Sequence, residues 1–305
     1  MAYTPDSIPD LTGTTTVVTG ANAGLGFATA EALARKGSHV VMASRNHDKA
    51  MAAADRIRET TPEASVEVVI MDLGSLESVR IAAKQILAEH ERVDVLVNNA
   101  GLMAMPEGQT ADGFETQFGV NHLGHWALTA QLMPALLAAP KARVVTVTST
   151  AHHFGPTVDP DNPNLRGNYS PWKAYGQSKL ANYHFALGLQ REFDNAGVPA
   201  MSLLAHPGLS NTDLQVNTVG HGGVGFSGRF FMGLAARTGM TPAQGAMPQI
   251  RAASDPEAKG GEFYAPRFVN NGSPVRRRFL RPGADRAIAN LWLVSTRETG
   301  IPMEV

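Results

Sequence analysis

The sequence predicts an α/β fold in which a doubly wound, mostly parallel sheet carries helices on both faces. Two observations predict it: apolar, β-rich runs recur between residues 14 and 206, and a helical pattern follows most of them. Strands that are continuous apolar runs are buried on both faces, as in parallel sheets covered by crossover helices. Short connections and right-handed crossovers then favour the doubly wound arrangement.

The elements follow one another in a regular order. The predicted strands are 14–20, 38–44, 65–73, 93–101, 143–149 and 198–206, and the predicted helices are 24–36, 48–59, 75–90, 111–138 and 172–193. Residues 151–171 carry four Pro and predict a loop. We expect one domain over residues 1–305, with a less regular C-terminal third.

Composition limits the classes of function. Lys and Arg total 26 and Asp and Glu total 27, so charge gives no argument for a nucleic-acid partner. The chain has no Cys, which excludes disulfides and Cys-ligated metals. The first residues lack the apolar core of a signal peptide. The charge-free stretch 116–140 contains Asn121 and two His, which favour a buried helix over a membrane span. We therefore expect a cytoplasmic protein without an integral membrane segment.

The stretch TGANAGLG, residues 19–26, joins the first predicted strand to the first helix. Its glycines, Gly20, Gly24 and Gly26, allow a tight turn and a close approach of backbone N–H groups to a ligand. The N-terminus of the next helix adds free N–H groups and a partial positive charge that suit a pyrophosphate. The spacing differs from the commonest dinucleotide fingerprint. We interpret the stretch as a dinucleotide cradle; the alternative is a plain tight turn.

Polar residues end the next strands at the same edge of the sheet. The second strand ends in Ala-Ser-Arg-Asn, where Arg45 suits a 2′-phosphate and no acid is present to bind a ribose; alternatively it is an exposed Arg. Asp72 either accepts from an adenine amino group or caps the next helix, although Ser75 is better placed to cap. Residues 98–101 either line an adenosine site, form an Asx-type turn, or do both.

The sharpest pattern is Tyr175-Gly-Gln-Ser-Lys179, because residues four apart share one helical face. An ammonium near a phenol lowers the pKa of the phenol towards the working pH, so that Tyr175 could exchange a proton with an alcohol oxygen. Ser149, at the end of the fifth strand, could hydrogen-bond the same oxygen. The alternative is a partly buried Tyr beside a solvated Lys.

Taken together, these motifs resemble the short-chain dehydrogenase/reductase family along essentially the whole chain. The matching pieces are TGANAGLG, Asp72-Leu73, NNAG at 98–101, Asn121 in VNHLG, Ser149, YGQSK at 175–179, and Pro207-Gly208 followed by Thr212. Within the family, NHLGHWALT, TSTAHHFG and HPG are similar to the retinol-dehydrogenase-like and protochlorophyllide-reductase-like branch. The light-dependent reductases are usually associated with a functional Cys, and its absence argues against a light-driven reaction. Thr148 stands where many relatives have Ser.

The resemblance implies a Rossmann-type oxidoreductase that transfers a hydride between NADP(H), preferred over NAD(H), and a carbonyl or alcohol. It implies that Tyr175 is the general acid/base, Lys179 lowers its pKa and binds the nicotinamide ribose, Ser149 orients the substrate oxygen, and Asn121 holds a water that relays protons; a structural kink is the alternative for Asn121. The cofactor-binding set is Gly20, Asn22, Gly24, Leu25, Gly26, Ser44, Arg45, Asn46, Asp72, Leu73, Asn99, Ala100, Gly101, Tyr175, Lys179, Pro207, Gly208 and Thr212.

The substrate side rests on residues 209–240, which are rich in Gly, Phe and Met and predict a mobile lid over a hydrophobic molecule. The alternative is ordinary packing of a helix pair. Two other functions stay open, a non-catalytic NADP(H)-binding sensor and a reductase of an activated C=C bond. In relatives, the helices matching 111–138 and 172–193 often pair into homodimers. His122 and His125 lie three residues apart without a nearby acid, so no metal site is predicted.

Overall fold

The structure is a computed structural model that describes residues 3–208, 240–277 and 284–305. Within these ranges one eight-stranded sheet has the order β3-β2-β1-β4-β5-β6-β7-β8. Its strands are β1 Thr15–Thr19, β2 His39–Ser44, β3 Val66–Ile70, β4 Val95–Asn98, β5 Arg143–Val147, β6 Met201–Ala205, β7 Phe263–Pro266 and β8 Pro274–Arg277. All neighbouring strands are parallel except β7 and β8. The predicted doubly wound, mostly parallel sheet is therefore confirmed.

Helices cover both faces of this sheet. They are α1 Gly24–Ala34, α2 His47–Thr60, α3 Leu76–Glu89, α4 Thr116–Phe118, α5 Gly124–Ala138, α6 Pro171–Ala196, α7 Pro242–Ser254 and α8 Ala284–Thr299. One core lies between the sheet and α3, α5, α6 and α8, and a second lies between the sheet and α1, α2 and α7. Val17 enters the first core and Val18 the second, because successive strand side chains point to opposite faces.

The long helix predicted over 111–138 is wrong at its beginning. Gly113 has φ +84° and closes a turn, and the Glu115 carboxylate then accepts from the N–H groups of Gln117 and Phe118 as α4 begins. A π-helical turn, Gly119–Leu123, separates α4 from α5. Because the apolar pattern runs on without a break, the sequence predicted neither the Glu115 cap nor the π-helical turn.

The described parts of the C-terminal third, residues 240–277 and 284–305, are more regular than the sequence predicted. They add β7, β8, α7 and α8, and α7 begins with a capping box in which Thr241 and Gln244 bond each other's backbone N–H groups. The predicted lid, 209–240, lies outside the described residues except for Met240, and Thr212 lies outside them too. Among the helices of the described ranges, none has the length and apolar character needed to cross a membrane.

Candidate active site

A cleft of about 280 Å³ opens where strands β1 to β4 end at their carboxyl edge. Of the predicted cofactor residues it is lined by Gly20, Asn22, Gly24, Leu25, Gly26, Ser44, Arg45, Asp72, Leu73, Asn99, Ala100 and Gly101. The sequence reasoning did not single out five further lining residues, Ala23, Ala43, Met71, Leu102 and Val120, because their small or apolar side chains suggest no contact with a ligand, although Ala23, Ala43 and Val120 lie within the motifs named above. The edge of the sheet therefore gathers residues that are far apart in the chain.

The Gly-rich turn brings backbone into the cleft. A Cβ on Gly26 would lie 2.2 Å from the carbonyl oxygen of Gly20, so only glycine allows α1 to pack this close to β1. Ala23 precedes α1 and forms no side-chain cap, which leaves the first N–H groups of the helix facing the cleft without a capping partner. A helix start of this kind fits the pyrophosphate of a dinucleotide.

Two charged residues lie on the far side of the cleft. Arg45 is exposed at the end of β2, and within the described part of the chain its guanidinium forms no ion pair or hydrogen bond. The Asp72 carboxylate accepts from the Gly74 N–H at 2.8 Å, so its side chain shapes the turn as well as the cleft. Ser75, as predicted, caps α3. Arg45 therefore remains available for an anionic ligand.

The sequence predicted that Asn46 binds the cofactor, but the structure gives this residue a structural role. Its side-chain oxygen accepts from the Lys49 N–H at 2.9 Å and caps α2, and the residue does not line the cleft. Asn is a strongly preferred N-cap because its oxygen satisfies an otherwise unpaired helical N–H. The structure therefore gives Asn46 a helix-capping function at the strand end.

Asn99 anchors the floor of the cleft. Its Nδ2 donates to the Thr19 carbonyl at 2.8 Å, and its Oδ1 accepts from Gln249 Nε2 at 3.0 Å. The Thr19 hydroxyl in turn accepts from the backbone N–H groups of Asn99 and Ala100. Gln249 lies on α7, about 150 residues away in the chain, and no local sequence pattern could have revealed it.

Tyr175 and Lys179 lie on α6, and Ser149 follows the end of β5. Tyr175 and Lys179 are buried, at 7% and 4% exposure, and Lys179 Nζ lies 5.9 Å from the centroid of the Tyr175 ring. Burial raises the pKa of Tyr175, and a hydrogen bond with Ser149 partly opposes this. Burial also lowers the pKa of Lys179 to about 8. Three of the four predicted catalytic groups are thus brought together, with Tyr175 and Lys179 desolvated and Ser149 partly exposed.

The predicted lowering of the Tyr175 pKa by Lys179 is not what this structure shows. The pKa of the phenol lies above its usual value because loss of solvent outweighs the bond with Ser149, and Lys179 is not among the groups that shift it. Lys179 Nζ instead donates to the Val147 carbonyl at 3.3 Å.

Asn121 lies in the π-helical turn Gly119–Leu123, which interrupts the α-helical pattern between α4 and α5. Its Oδ1 accepts from the Leu102 N–H at 2.7 Å, and its Nδ2 donates to the Leu102 carbonyl and to Ser178 Oγ. A Cβ on Gly101 would lie 3.1 Å from Asn121 Oδ1 and 3.3 Å from Lys179 Nζ. The Asn121 backbone carbonyl accepts a hydrogen bond from His125 Nδ1 at 3.0 Å, so protein groups engage both the side chain and the carbonyl, and the water relay at Asn121 stays a prediction.

Helix α6 is clamped to the end of β5 at the catalytic residues. Thr148 Oγ1 donates to the Lys179 carbonyl at 2.7 Å, and Asn182 Nδ2 donates to the Val147 carbonyl at 3.0 Å. On the other side of Tyr175, a Cβ on Gly155 would lie 2.0 Å from the Gly176 carbonyl oxygen. This close backbone contact fixes the Ser149 turn against Tyr175, and the sequence reasoning did not detect it.

The histidines near the site have packing roles. His122 Nε2 bonds to Ser295 Oγ and His125 Nε2 to Thr19 Oγ1, each at 2.8 Å. Burial lowers the pKa of His122 to about 3 and that of His125 to about 4, so both rings are neutral at pH 7. His152 bonds to the Ser149 carbonyl and stacks on Tyr183, which supports the turn that carries Ser149.

The strand-end cleft with a Tyr-Lys helix beside it defines a dinucleotide-dependent oxidoreductase of the short-chain type. The family model for short chain dehydrogenase matches residues 14–221, and the chain belongs to this family. Within it, the chain is similar to the retinol-dehydrogenase-like branch. It is 44% identical to retinol dehydrogenase 13 of Homo sapiens over 211 residues, covering 69% of this chain and 63% of that protein.

Longer matches extend the similarity over most of the chain. The identity is 36% with retinol dehydrogenase 13 of Mus musculus over 296 residues, covering 95% of this chain and 85% of that protein. It is 40% with polyprenol dehydrogenase of Mus musculus over 262 residues, covering 85% of this chain and 76% of that protein. The branch is thus supported beyond the cofactor-binding part of the fold.

Solved structures support the fold over the full length. A crystal structure of an uncharacterized protein from Mycobacterium paratuberculosis is similar with a TM-score of 0.81 and 39% identity, covering 100% of both chains. A structure described as an NAD(P)-dependent gluconate 5-dehydrogenase from Beutenbergia cavernae, with bound NADP at low occupancy, has a TM-score of 0.63 and 28% identity. That similarity covers 81% of this chain and 91% of the other.

Proposed function

We propose that this oxidoreductase uses NADP(H) to interconvert a carbonyl and an alcohol on a hydrophobic small molecule, with Tyr175 as the general acid/base. The observation that carries the proposal is the buried Tyr175 phenol, in contact with Ser149, on the helix beside the cleft. A phenol and a hydroxyl that share one site can both donate to a single substrate oxygen.

The cleft has parts that match the parts of the cofactor. The uncapped start of α1 would hold the pyrophosphate, and the guanidinium of Arg45 would pair with a 2′-phosphate. Asp72 and residues 99–101 would line the adenosine. When bound, the cofactor supplies or accepts the hydride, and the protein supplies orientation and the proton.

The residues of the chain handle the proton. In reduction, the Tyr175 hydroxyl donates its proton to the substrate oxygen as negative charge develops there, and the Ser149 hydroxyl donates a second hydrogen bond. The Lys179 ammonium, with a pKa of about 8, is mostly charged at pH 7 and would hold the nicotinamide ribose of the bound cofactor. Burial excludes water from the exchange and strengthens these electrostatic interactions.

The protonation state of Tyr175 favours one direction at neutral pH. Since burial raises the pKa of the phenol, Tyr175 carries its proton and is ready to act as an acid. Alcohol oxidation needs the phenolate as base, and that form becomes more populated as the pH rises. We therefore expect carbonyl reduction to be the faster direction at pH 7, and alcohol oxidation to accelerate in alkaline solution.

The substrate class follows from the relatives and from apolar surface beside the site. The relatives named above act, by their names, on retinol and polyprenol, both hydrophobic alcohols. Phe154, in the turn after Ser149, is 63% exposed, and Phe268, between β7 and β8, is 70% exposed. The Phe268 turn contacts Gly208, where a Cβ would lie 2.7 Å from the Asn270 carbonyl oxygen. We propose a long hydrophobic aldehyde or alcohol as the substrate.

The decisive test compares Tyr175→Phe with Tyr3→Phe, which removes a phenol hydroxyl bonded to Ser254 away from the cleft. NADPH consumption with retinal and with a long-chain aliphatic aldehyde should fall about 10²- to 10⁴-fold in Tyr175→Phe only, while NADPH binding stays intact. Unchanged turnover in Tyr175→Phe would refute the assigned mechanism.

Product analysis separates the two alternative functions. A carbonyl reductase releases the unsaturated alcohol from an enal, whereas a C=C reductase releases the saturated aldehyde. NADPH binding without turnover of either kind of substrate would favour the sensor. The intact set of Asn121, Ser149, Tyr175 and Lys179 supports the carbonyl reaction.

The homodimer and the cytoplasmic location stay predictions. Helix α8 packs over the surface that was predicted to pair: Trp292 contacts Trp126 of α5 edge to face at 5.1 Å and stacks on Phe185 of α6 at 6.0 Å. Trp126 also donates to the Ile301 carbonyl. Much of the apolar character of α5 and α6 is therefore used inside one chain, and sedimentation velocity would decide the oligomeric state.

A further inference from the structure

Three metal-ligating side chains meet on the part of the sheet farthest from the cleft. His39 begins β2, Glu67 lies on the adjacent strand β3, and His90 follows α3 at its C-terminal cap. One ligand atom from each lies within 4.8 Å of the other two. His90 Nε2 is 2.9 Å from one Glu67 carboxylate oxygen, and His39 Nε2 is 3.8 Å from the other.

The neighbouring residue Ser65 orients the His39 ring. His39 Nδ1 lies 2.6 Å from Ser65 Oγ, a hydrogen bond that places the ring proton on Nδ1 when the serine oxygen accepts it. The lone pair then resides on Nε2, the atom that faces Glu67. This Nε2 is buried and has no hydrogen-bond partner among the described residues. Metal-ligating histidines are usually oriented by such a bond from the other ring nitrogen.

We propose that His39, Glu67 and His90 form a binding site for a divalent transition metal, with zinc as the ion that fits best. Two imidazoles and one carboxylate are a ligand set that zinc uses when a fourth position is left to water. Zinc–ligand bonds of about 2.0–2.1 Å in a tetrahedron place ligand atoms about 3.3 Å apart. The observed separations of 2.9 and 3.8 Å end on the two different Glu67 oxygens, and one ligand atom from each residue lies within 4.8 Å of the other two, so binding needs side-chain rotations that draw the three groups closer together.

The exposure of the three side chains suits an ion that retains water. Their side chains are 29%, 32% and 14% exposed for His39, Glu67 and His90, so solvent reaches one side of the cluster. Without a metal, the same groups form a hydrogen bond between His90 and Glu67 and leave His39 Nε2 without a donor. A bound cation would satisfy that nitrogen and neutralise the carboxylate together.

The site is separate from the proposed reaction. Strand β2 runs from His39 to Ser44, which lines the cleft, and five steps of about 3.3 Å put roughly 16 Å between them. The metal would join β2, β3 and the end of α3, three elements otherwise held by sheet pairing and core packing. Its expected effect is therefore on the stability of this side of the fold, and NADPH-dependent turnover should be independent of it.

The experiment uses the full chain without a polyhistidine tag, freed of metal by a chelator that is then removed. Calorimetric titration with ZnCl₂ should show one equivalent bound, and CoCl₂ should give the intense visible absorption of a four-coordinate site. Zinc should also raise the midpoint of thermal unfolding. Replacing a ligand by His90→Gln or Glu67→Gln should weaken zinc binding by more than about 100-fold, and Ser65→Ala by about 10–100-fold.

His47→Gln is the matched control, because exposed His47 lies 3.1 Å from Asp48 but, among the described residues, belongs to no group of three potential metal ligands. It should bind zinc like the wild type. Retained NADPH binding shows that each variant is folded. The proposal is overturned if the wild type binds no zinc, if His90→Gln binds it as tightly as the wild type, or if His47→Gln loses the binding instead.

Discussion

The nucleotide part of the cleft and the catalytic part are built in different ways. The first consists mainly of backbone, glycines and short side chains, with Arg45 as an exposed charge that has no partner within the described ranges. In the second, Tyr175, Lys179 and Asn121 are buried, and each is held by bonds or contacts to other elements. We infer that substitutions in the nucleotide part alter mainly the affinity for the cofactor. Substitutions in the catalytic part should displace several catalytic side chains at once.

The largest effect is expected from Lys179→Met, which removes the buried ammonium of the catalytic part. Loss of the ammonium that would hold the nicotinamide ribose should misplace the cofactor and reduce turnover about 10²- to 10⁴-fold. In the wild type, burial lowers the folded-state pKa of Lys179 to about 8, so its charge disappears as the pH rises through that value. The rate of carbonyl reduction should therefore decline above about pH 8 in the wild type. The small residual rate of the variant should lack this decline.

A measurement of unfolding by urea provides the control for Lys179. Between pH 8 and the normal lysine pKa near 10.5, the unfolded chain binds more protons at this site than the folded chain. The contribution of Lys179 to the free energy of unfolding should therefore increase with pH in this window, and Lys179→Met should remove it. An identical pH dependence in both proteins would contradict the burial of a charged Lys179.

The next effect in size is expected from Gly155→Ala. The new Cβ would lie 2.0 Å from the Gly176 carbonyl oxygen, so the Ser149 turn and the Tyr175 helix must move apart. A displacement of about 1 Å at reacting groups can cost about 100-fold in rate. We expect a loss of turnover near that size with NADPH binding largely retained, since the nucleotide part is not touched.

Gly113→Ala controls for a general loss of stability. Gly113 has φ +84°, and a Cβ at this position would have no neighbouring atom within 4 Å, so alanine is strained there without pushing on a neighbour. It should lower the thermal midpoint and leave the rate per folded molecule unchanged. If both variants lose activity in proportion to stability, the contact between Gly155 and Gly176 does not position the catalytic groups.

A smaller and more selective effect is expected from Arg45→Ala in the nucleotide part. Hydrogen bonds to a charged group contribute about 1.5–3 kcal/mol, which corresponds to a loss of roughly 10–100-fold in NADPH affinity. NADH lacks the 2′-phosphate and should bind as before. Nicotinamide fluorescence titrations measure both. Arg80→Ala, which removes an exposed Arg paired with Glu77, should change neither affinity, and equal losses for both cofactors in Arg45→Ala would refute the phosphate role.

The smallest effect is expected from Asn46→Ala, one residue further along. It removes the N-cap of α2 and should lower the free energy of unfolding by about 1 kcal/mol. The ratio of NADPH to NADH affinity should stay that of the wild type, because Asn46 does not line the cleft. If the ratio of NADPH to NADH affinity changes in Asn46→Ala, Asn46 contacts the cofactor as the sequence predicted.

The sequence predicts which residues lie at the carboxyl ends of the strands better than it predicts the hydrogen bonds that hold these residues. The glycine turn, Arg45, Asp72 and residues 99–101 were found because parallel strands deliver their carboxyl ends to one edge. The pairing of Asn99 with Gln249 was not found, because it depends on how α7 packs far along the chain.

Local chemistry misled the sequence reasoning in two further places. The prediction of one helix over 111–138 did not include the cap by Glu115, because an acidic residue before an apolar run also fits a helix interior. The pKa of Tyr175 depends on desolvation, and spacing along one helix carries no information on burial. The direction of that pKa shift could therefore be read only from the packed structure.

The contact between Trp172 and Tyr175 allows tryptophan fluorescence to report on the active site. The chain has three tryptophans. Trp126 and Trp292 are packed together, whereas Trp172 lies edge to face with Tyr175 at 6.0 Å. A double variant, Trp126→Phe and Trp292→Phe, would leave a single emitter next to the proposed proton donor. Reduced nicotinamide absorbs where tryptophan emits, so quenching of Trp172 should follow occupancy of the site in real time, without a label and before any substrate is known.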